Sequence, residues 1–168
     1  SYEKEVRVMG QTTVESSVDD DEVQVLQELR AAPEIFAAIA ACTSAELANQ
    51  KTLRSSFDER LVRAALGIHE ARQKAIGRLP EAQRLWLTRT GLEQSTAPEI
   101  ARHKARRFAA AERVMDLCSG IGVDASALAE VTQVEALDAS DAMSLRARWN
   151  AEAWGTADRL QTRTADVA

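Results

Sequence analysis

Three aspartates stand at or near the ends of short runs that we predict to be strands, in the second half of the chain. Asp116 lies near the end of the run 113–117, Asp138 ends the run 133–138, and Asp166 ends the run 160–166. Buried carboxylates need hydrogen-bond partners, so this pattern favours a ligand over simple packing. We expect Asp116 to accept from a ligand amine, Asp138 from the hydroxyls of a ribose, and Asp166 from the exocyclic amine of an adenine.

A turn of small residues, Ser119–Gly122, follows Asp116 and Cys118. Glycines at Gly120 and Gly122 allow the backbone to pass close to a ligand and to turn sharply into a helix. The amino end of that helix favours negative charge. The turn therefore predicts a nucleotide-like ligand.

The charge beside the turn discriminates between two ligand classes. Gly120–Ala125 fits the loose G-x-G-x-x-A pattern of dinucleotide sites, so a nicotinamide- or flavin-binding protein is the alternative. A carboxylate at Asp116 would repel an anionic pyrophosphate, whereas a ligand with an amino group and a sulfonium cation would be attracted. We therefore predict S-adenosylmethionine as the cofactor.

The elements that must position these residues alternate between strand and helix. A short apolar run predicts a strand over 113–117. Further strands are predicted over 133–138 and 160–166, with helices over 123–129 and 141–154 between the strands. This order is typical of a parallel sheet with helical crossovers, an α/β architecture.

The chain before the sheet is predicted to be helical. We expect a flexible arm over 1–22, a helical domain over 23–95, and a partial cofactor-binding domain over 96–168. A hydroxyl residue followed three places later by glutamate recurs as a capping-box signal, at Thr43/Glu46, Ser56/Glu59 and Thr96/Glu99.

Several segments together resemble a known family. Asp116–Gly122 resembles motif I of class I S-adenosylmethionine-dependent methyltransferases, with Cys118 in place of the first glycine. Thr96–His103 and Trp149–Gly155 are similar to segments of the trimethylguanosine synthase (RNA cap guanine-N2 methyltransferase) group, and bacterial relatives share Leu92–Gln94. The resemblance covers roughly residues 90–168. It implies the first half of a Rossmann-like class I methyltransferase sheet after an N-terminal helical region.

The resemblance also implies a set of cofactor-binding residues. The methionine end would lie near Thr96 and Asp116, the turn would offer backbone contacts, and adenine would lie near Asp166. Cys118 must point away from the ligand or narrow the site. The expected set is Thr96, Asp116, Cys118, Ser119, Gly120, Gly122, Asp138, Ala139, Asp166 and Val167.

An RNA or nucleobase N-methylation reaction is implied by the same resemblance. Although the net charge is −5, residues 70–107 hold nine basic residues against four acidic ones. A basic face can contact RNA phosphates, and the expected contacts are Arg102, Arg106 and Arg107. The alternative is an ordinary solvated helix surface.

The residues that catalyse amino-directed methylation are expected to lie outside this chain. Such enzymes carry an Asn/Asp-Pro-Pro-aromatic motif after the fourth strand, and none of Pro33, Pro80 and Pro98 can supply it. We therefore expect an amino-terminal fragment that binds cofactor, contains no catalytic residue and is inactive alone. Its exposed sheet edge would permit a homodimer. The alternative is a non-catalytic helical interaction module with a residual nucleotide-binding fold.

Composition predicts a cytoplasmic protein. Cys42 and Cys118 are too few for a disulfide framework or a metal cluster. The longest apolar stretch, near residues 35–42, is too short to cross a bilayer, and no leader precedes it. We expect neither a metal nor a membrane partner.

Overall fold

Helices form most of the chain before the sheet. The structure, a computed structural model, describes residues 18–166 apart from the side chain of residue 48. None of the described helices is both long and apolar enough to span a membrane. The helices are α1 (residues 18–31), α2 (Glu34–Ala41), α3 (Ser44–Asn49), α4 (Lys51–Ser56), α5 (Glu59–Ala75), α6 (Arg89–Gln94) and α7 (Pro98–Ala105).

The sheet has three parallel strands in the order β1 (Arg113–Leu117), β2 (Gln133–Asp138) and β3 (Leu160–Thr164). Helix α8 (Val123–Ala129) connects the first two strands, and α9 (Asp141–Trp154) connects the second and third. These elements confirm the predicted α/β class. The third strand ends at Thr164, two residues before the predicted end at Asp166.

The strand register brings two predicted site residues to one edge of the sheet. Asp116 is paired with Ala136, and Asp138 is paired with Thr164. Since parallel strands present their carboxyl ends on the same side, the turns after β1 and β2 are neighbours. Ser119 N donates to Leu137 O (2.8 Å) and holds the first turn against β2.

Two hydrophobic clusters hold the elements together. One cluster contains buried residues of the sheet, α7 and α8 and also includes Leu79, Leu85 and Leu92. The other joins α1, α2, α4 and α5 to Leu145 and Trp149 of α9. Each cluster therefore draws residues from both sides of position 95/96, where the sequence suggested a domain boundary. Many of the buried residues are alanines, which let helices pack closely.

Residues 18–22 correct the predicted flexible arm. They are helical and belong to α1. The Asp19 carboxylate accepts from Ser140 Oγ and from Asp141 N, each at 2.6 Å, and thereby caps the start of α9. Glu22 pairs with Arg146 of α9. The rest of the predicted arm lies outside the described residues.

One of the three predicted capping boxes forms. Thr43 Oγ1 accepts from Glu46 N, and Glu46 Oε2 accepts from Thr43 N. Helix α5 is capped instead by Asp58, which accepts from the amides of residues 60 and 61. Helix α7 has Ala97 at its N-cap position, and alanine has no side-chain atom that can accept a hydrogen bond. The hydroxyl of Thr96 donates to Asp124 instead of capping the helix.

The outer edge of β1 pairs with no other strand among the described residues. On this strand Met115 is 50% exposed and Leu117 is 54% exposed. Unpaired strand edges favour association, and the homodimer through this edge stays a prediction.

Candidate functional site

The turn after β1 adopts left-handed backbone angles that explain its composition. The φ angles are +64° at Cys118, +54° at Gly120 and +87° at Gly122. A Cβ on Gly122 would lie 3.1 Å from the Cβ of Ala147, so α9 also requires a glycine there. Cys118 adopts the same region with a side chain, which costs about 1–2 kcal/mol for an L-residue.

Asp138 organises this turn from the end of β2. Its Oδ2 accepts from Gly120 N at 2.9 Å, and its Oδ1 accepts from Ser140 N at 3.1 Å. Each carboxylate oxygen can accept a second hydrogen bond. Asp138 can therefore hold the turn and still accept from ligand hydroxyls.

Asp116 is a half-buried carboxylate whose charge is poorly compensated. Its Oδ2 is buried and has no hydrogen-bond partner among the described residues. The pKa of Asp116 is raised from 3.8 to about 6, mainly by burial; Asp124 and Asp138 also contribute to the increase, while Lys104 opposes it. These couplings place three carboxylates near one another, an arrangement that attracts a cation.

A polar cluster beside Asp116 links α7 to α8. Thr96 Oγ1 donates to Asp124 Oδ2 at 2.5 Å, and Lys104 Nζ lies 2.5 Å from Asp124 Oδ1. Lys104 Nζ also lies 3.4 Å from Thr96 Oγ1. The Thr96 hydroxyl therefore orients Asp124. The sequence prediction named Thr96 but missed Asp124 and Lys104.

Thr96 and Asp124 line a cavity of about 470 Å³ beside the glycine turn. Five predicted residues line it, namely Thr96, Cys118, Ser119, Gly120 and Asp138. Ser119 Oγ is buried and has no hydrogen-bond partner among the described residues. The lining also contains residues that the sequence prediction did not include, among them Thr88, Gln94, Asp124 and Met143.

The other predicted cofactor-binding residues lie elsewhere. Asp116 and Gly122 adjoin the cavity through the turn but are not part of its lining. Ala139 and Asp166 are exposed and also lie outside the lining. The third strand ends before Asp166, so that residue sits in the segment after the sheet. Val167 lies outside the described residues.

A buried asparagine on α9 fixes the walls of the cavity. Asn150 is fully buried; its Oδ1 accepts from Trp86 N at 2.7 Å. Its Nδ2 donates to Trp86 O (3.2 Å) and to Ile121 O (3.0 Å). Asn150 thus ties the segment before α6 to the glycine turn. Asn150 lies in Trp149–Gly155, one of the segments that carry the family resemblance, and this was the sequence signal that could have identified it. Its structural role depends on contacts with residues that are distant in sequence.

The three predicted RNA-contacting arginines differ in their surroundings. Arg102 Nε pairs with Glu130 Oε1 at 3.1 Å. Arg106 and Arg107 are exposed in the turn Arg106–Phe108 at the end of α7. In the described part of the chain no side-chain ion pair involves Arg106 or Arg107, and both can meet a ligand from solvent.

Comparison with known proteins places this fold beside methyltransferases. No protein-family model and no curated protein matches the chain. The solved structure named "putative methyltransferase" from Porphyromonas gingivalis W83 is 23% identical and superposes with a TM-score of 0.63. The match covers 83% of this chain and 36% of that one. This likeness shows a shared fold, and the chain spans about a third of that protein's length.

Two further structures match more loosely. A "putative O-methyltransferase" from Klebsiella pneumoniae is 18% identical with a TM-score of 0.41, over 59% of this chain and 41% of its own. The N-terminal domain of EvdMO1 with S-adenosylhomocysteine (SAH) bound is 24% identical with a TM-score of 0.42, over 59% and 46%. Superpositions this loose support no conclusion about the site of this chain.

Proposed function

We propose that the chain binds S-adenosylmethionine in the cavity at the ends of β1 and β2, as the cofactor-binding part of a methyltransferase. The observation that supports this proposal most directly is Asp116, a half-buried carboxylate next to the glycine turn, one of whose oxygens has no hydrogen-bond partner within residues 18–166. A buried acid without a partner is costly. A ligand ammonium or sulfonium group would supply the missing charge.

The residues around the cavity fit the parts of this cofactor. Asp116 would hold the cationic methionine end. Ser119 Oγ is a further buried polar atom without a hydrogen-bond partner in the described part of the chain. Asp138 lines the cavity and would accept from the ribose hydroxyls. S-adenosylmethionine supplies an activated methyl group on sulfur. The chain's own part is to bind and orient it.

The same electrostatics disfavour a dinucleotide. Asp116, Asp124 and Asp138 bring three acidic groups together at this end of the sheet, and Asp124 and Asp138 both act to raise the pKa of Asp116, although burial is the larger cause. A pyrophosphate would be repelled from such a site. The proposal therefore favours S-adenosylmethionine over NAD.

Substitution at Asp138 tests the placement of the ribose. Asp138→Ala should weaken SAH binding by about 1–3 kcal/mol, measured by isothermal titration calorimetry. Asp158→Ala is the control, because that exposed residue lies in the turn Ala157–Arg159. Equal SAH affinity of Asp138→Ala and wild type would show that the ribose does not bind there.

For the whole protein we propose RNA or nucleobase N-methylation. The support is the resemblance of Thr96–His103 and Trp149–Gly155 to the RNA cap guanine-N2 methyltransferase group, together with exposed Arg106 and Arg107. Methyl transfer from S-adenosylmethionine to RNA by the full-length protein is the test. RNA affinity that does not fall with added salt would contradict phosphate contacts.

A further inference from the structure

A second cavity, between α1, α5 and α9, contains a buried arginine with incomplete hydrogen bonding. The cavity has a volume of about 270 Å³, and Arg146 lines it. The Arg146 side chain is only 5% exposed, and its Nη2 lies 2.6 Å from Glu22 Oε1. Its Nε and Nη1 are buried and have no hydrogen-bond partner among the described residues.

Such a guanidinium is normally paired on more than one side. It has five N–H donors, and a charge removed from water is costly unless it is both paired and hydrogen-bonded. Glu22 engages one nitrogen only. An oxyanion could accept from the remaining donors, since two oxygens of a carboxylate or phosphate group match the guanidinium fork.

The other lining residues indicate the rest of the ligand. Lys74 and Arg89 add positive charge, whereas Glu22 and Glu70 oppose it. Arg89 is already bonded to Glu93, with Nε and Oε1 2.9 Å apart. The cationic side chains, Arg146 included, outnumber the acidic ones in this lining by three to two.

Apolar side chains form another part of the wall, from Val25, Leu26, Ile68 and Leu87. They can bury a short hydrocarbon or ring while Arg146 pairs with the charged end. Thr88 lines both this cavity and the one at the glycine turn, so the two sites are neighbours.

We propose that this second cavity binds a small molecule with one carboxylate or phosphate group and a short apolar body, through Arg146. The inference does not depend on the proposed cofactor site, because it rests on the environment of Arg146.

Direct titration tests the site. Benzoate and inorganic phosphate are titrated separately into the chain at constant ionic strength and without methyl donor. Benzamide, which has the shape of benzoate without its charge, is the control. Saturable binding of benzoate or phosphate, with benzamide bound more weakly, is expected, and the tighter anion identifies the head group. Binding of neither anion, or equal binding of benzamide, would overturn the proposal.

Two variants locate the binding at Arg146. Arg146→Met should weaken anion binding by roughly tenfold or more. Glu22→Gln removes the competing carboxylate and should tighten it by roughly three- to tenfold. Glu22→Gln keeps the test valid even where Arg146→Met fails to fold.

The matched control is Glu28→Gln on the same helix, since Glu28 pairs with Arg60 rather than Arg146. An unchanged anion affinity is expected for it, and an increase equal to that of Glu22→Gln would overturn the assignment. SAH affinity, measured in parallel, should stay at the wild-type value in Glu22→Gln. If the wild-type protein does not bind SAH, the cofactor proposal is refuted, whereas the proposed anion site at Arg146 is unaffected.

Discussion

Replacing Asp116 with asparagine should stabilise the ligand-free protein and weaken its binding of SAH. The pKa of Asp116 is raised from 3.8 to about 6, chiefly by burial. Each tenfold change in acid dissociation is worth about 1.4 kcal/mol, so the ionised carboxylate costs at most about 3 kcal/mol. Because the side chain is only half-buried, solvent reduces this, and we expect about 1–2 kcal/mol.

The pH dependence follows from the direction of the shift. Between pH 3.8 and about 6 the folded state holds the Asp116 proton more tightly than the unfolded state does. The free-energy cost of burying the ionised Asp116 carboxylate is therefore absent at low pH, grows through this window and is complete above about pH 6. The stability advantage of Asp116→Asn should grow over the same window. Carboxylates remote from Asp116 titrate alike in both proteins and cancel in the difference.

Urea unfolding followed by tryptophan fluorescence between pH 4 and 7 measures this difference. Asp158→Asn, an exposed control, should show no comparable gain. SAH binding by Asp116→Asn should fall by about 1.5–3 kcal/mol at pH 7, since a charge-assisted hydrogen bond is lost. A variant that is less stable than wild type at pH 7, or that binds SAH equally well, would refute this account of Asp116.

Further substitutions test how the site is held. Asn150→Ala leaves three buried backbone groups without their partner and should lower the free energy of unfolding by about 3–5 kcal/mol; a loss under about 1 kcal/mol would contradict this role. Gly122→Ala should cost about 2–3 kcal/mol in urea unfolding because of its φ angle and Ala147. Gly120→Ala, with open space around its Cβ, should cost only about 1 kcal/mol, and equal costs would contradict the packing argument. Cys118→Gly should stabilise by about 0.5–1 kcal/mol, because relief of the left-handed strain exceeds the added chain entropy; destabilisation would contradict it.

The sheet half of the molecule could be predicted from local patterns. Strands β1 and β2 are short apolar runs bounded by turns, and Gly155 ends α9 with a φ of +74°. These patterns depend on only a few neighbouring residues, so tertiary packing does not alter the local structure that they predict. The third strand ends at Thr164, two residues before the predicted end at Asp166.

The contacts that complete the site could not be predicted in this way. Asp19 caps α9 from more than a hundred residues away. Thr96 bonds to Asp124 rather than capping its own helix. Asn150 joins two loops that are neighbours only in the folded chain. The sequence offers each of these polar groups several possible partners of similar chemistry, and only tertiary packing determines which of them it contacts.

Calorimetric titration of the chain with SAH and with NAD at pH 7 tests the central claim most directly. Asp116 is proposed to hold the methionine end, with the carboxylates of Asp124 and Asp138 close enough to influence it, and this negative charge should select a ligand with a cationic amine. We predict that SAH binds at least roughly tenfold more tightly than NAD. NAD binding as tight as or tighter than that of SAH would contradict the assignment of this cavity to S-adenosylmethionine.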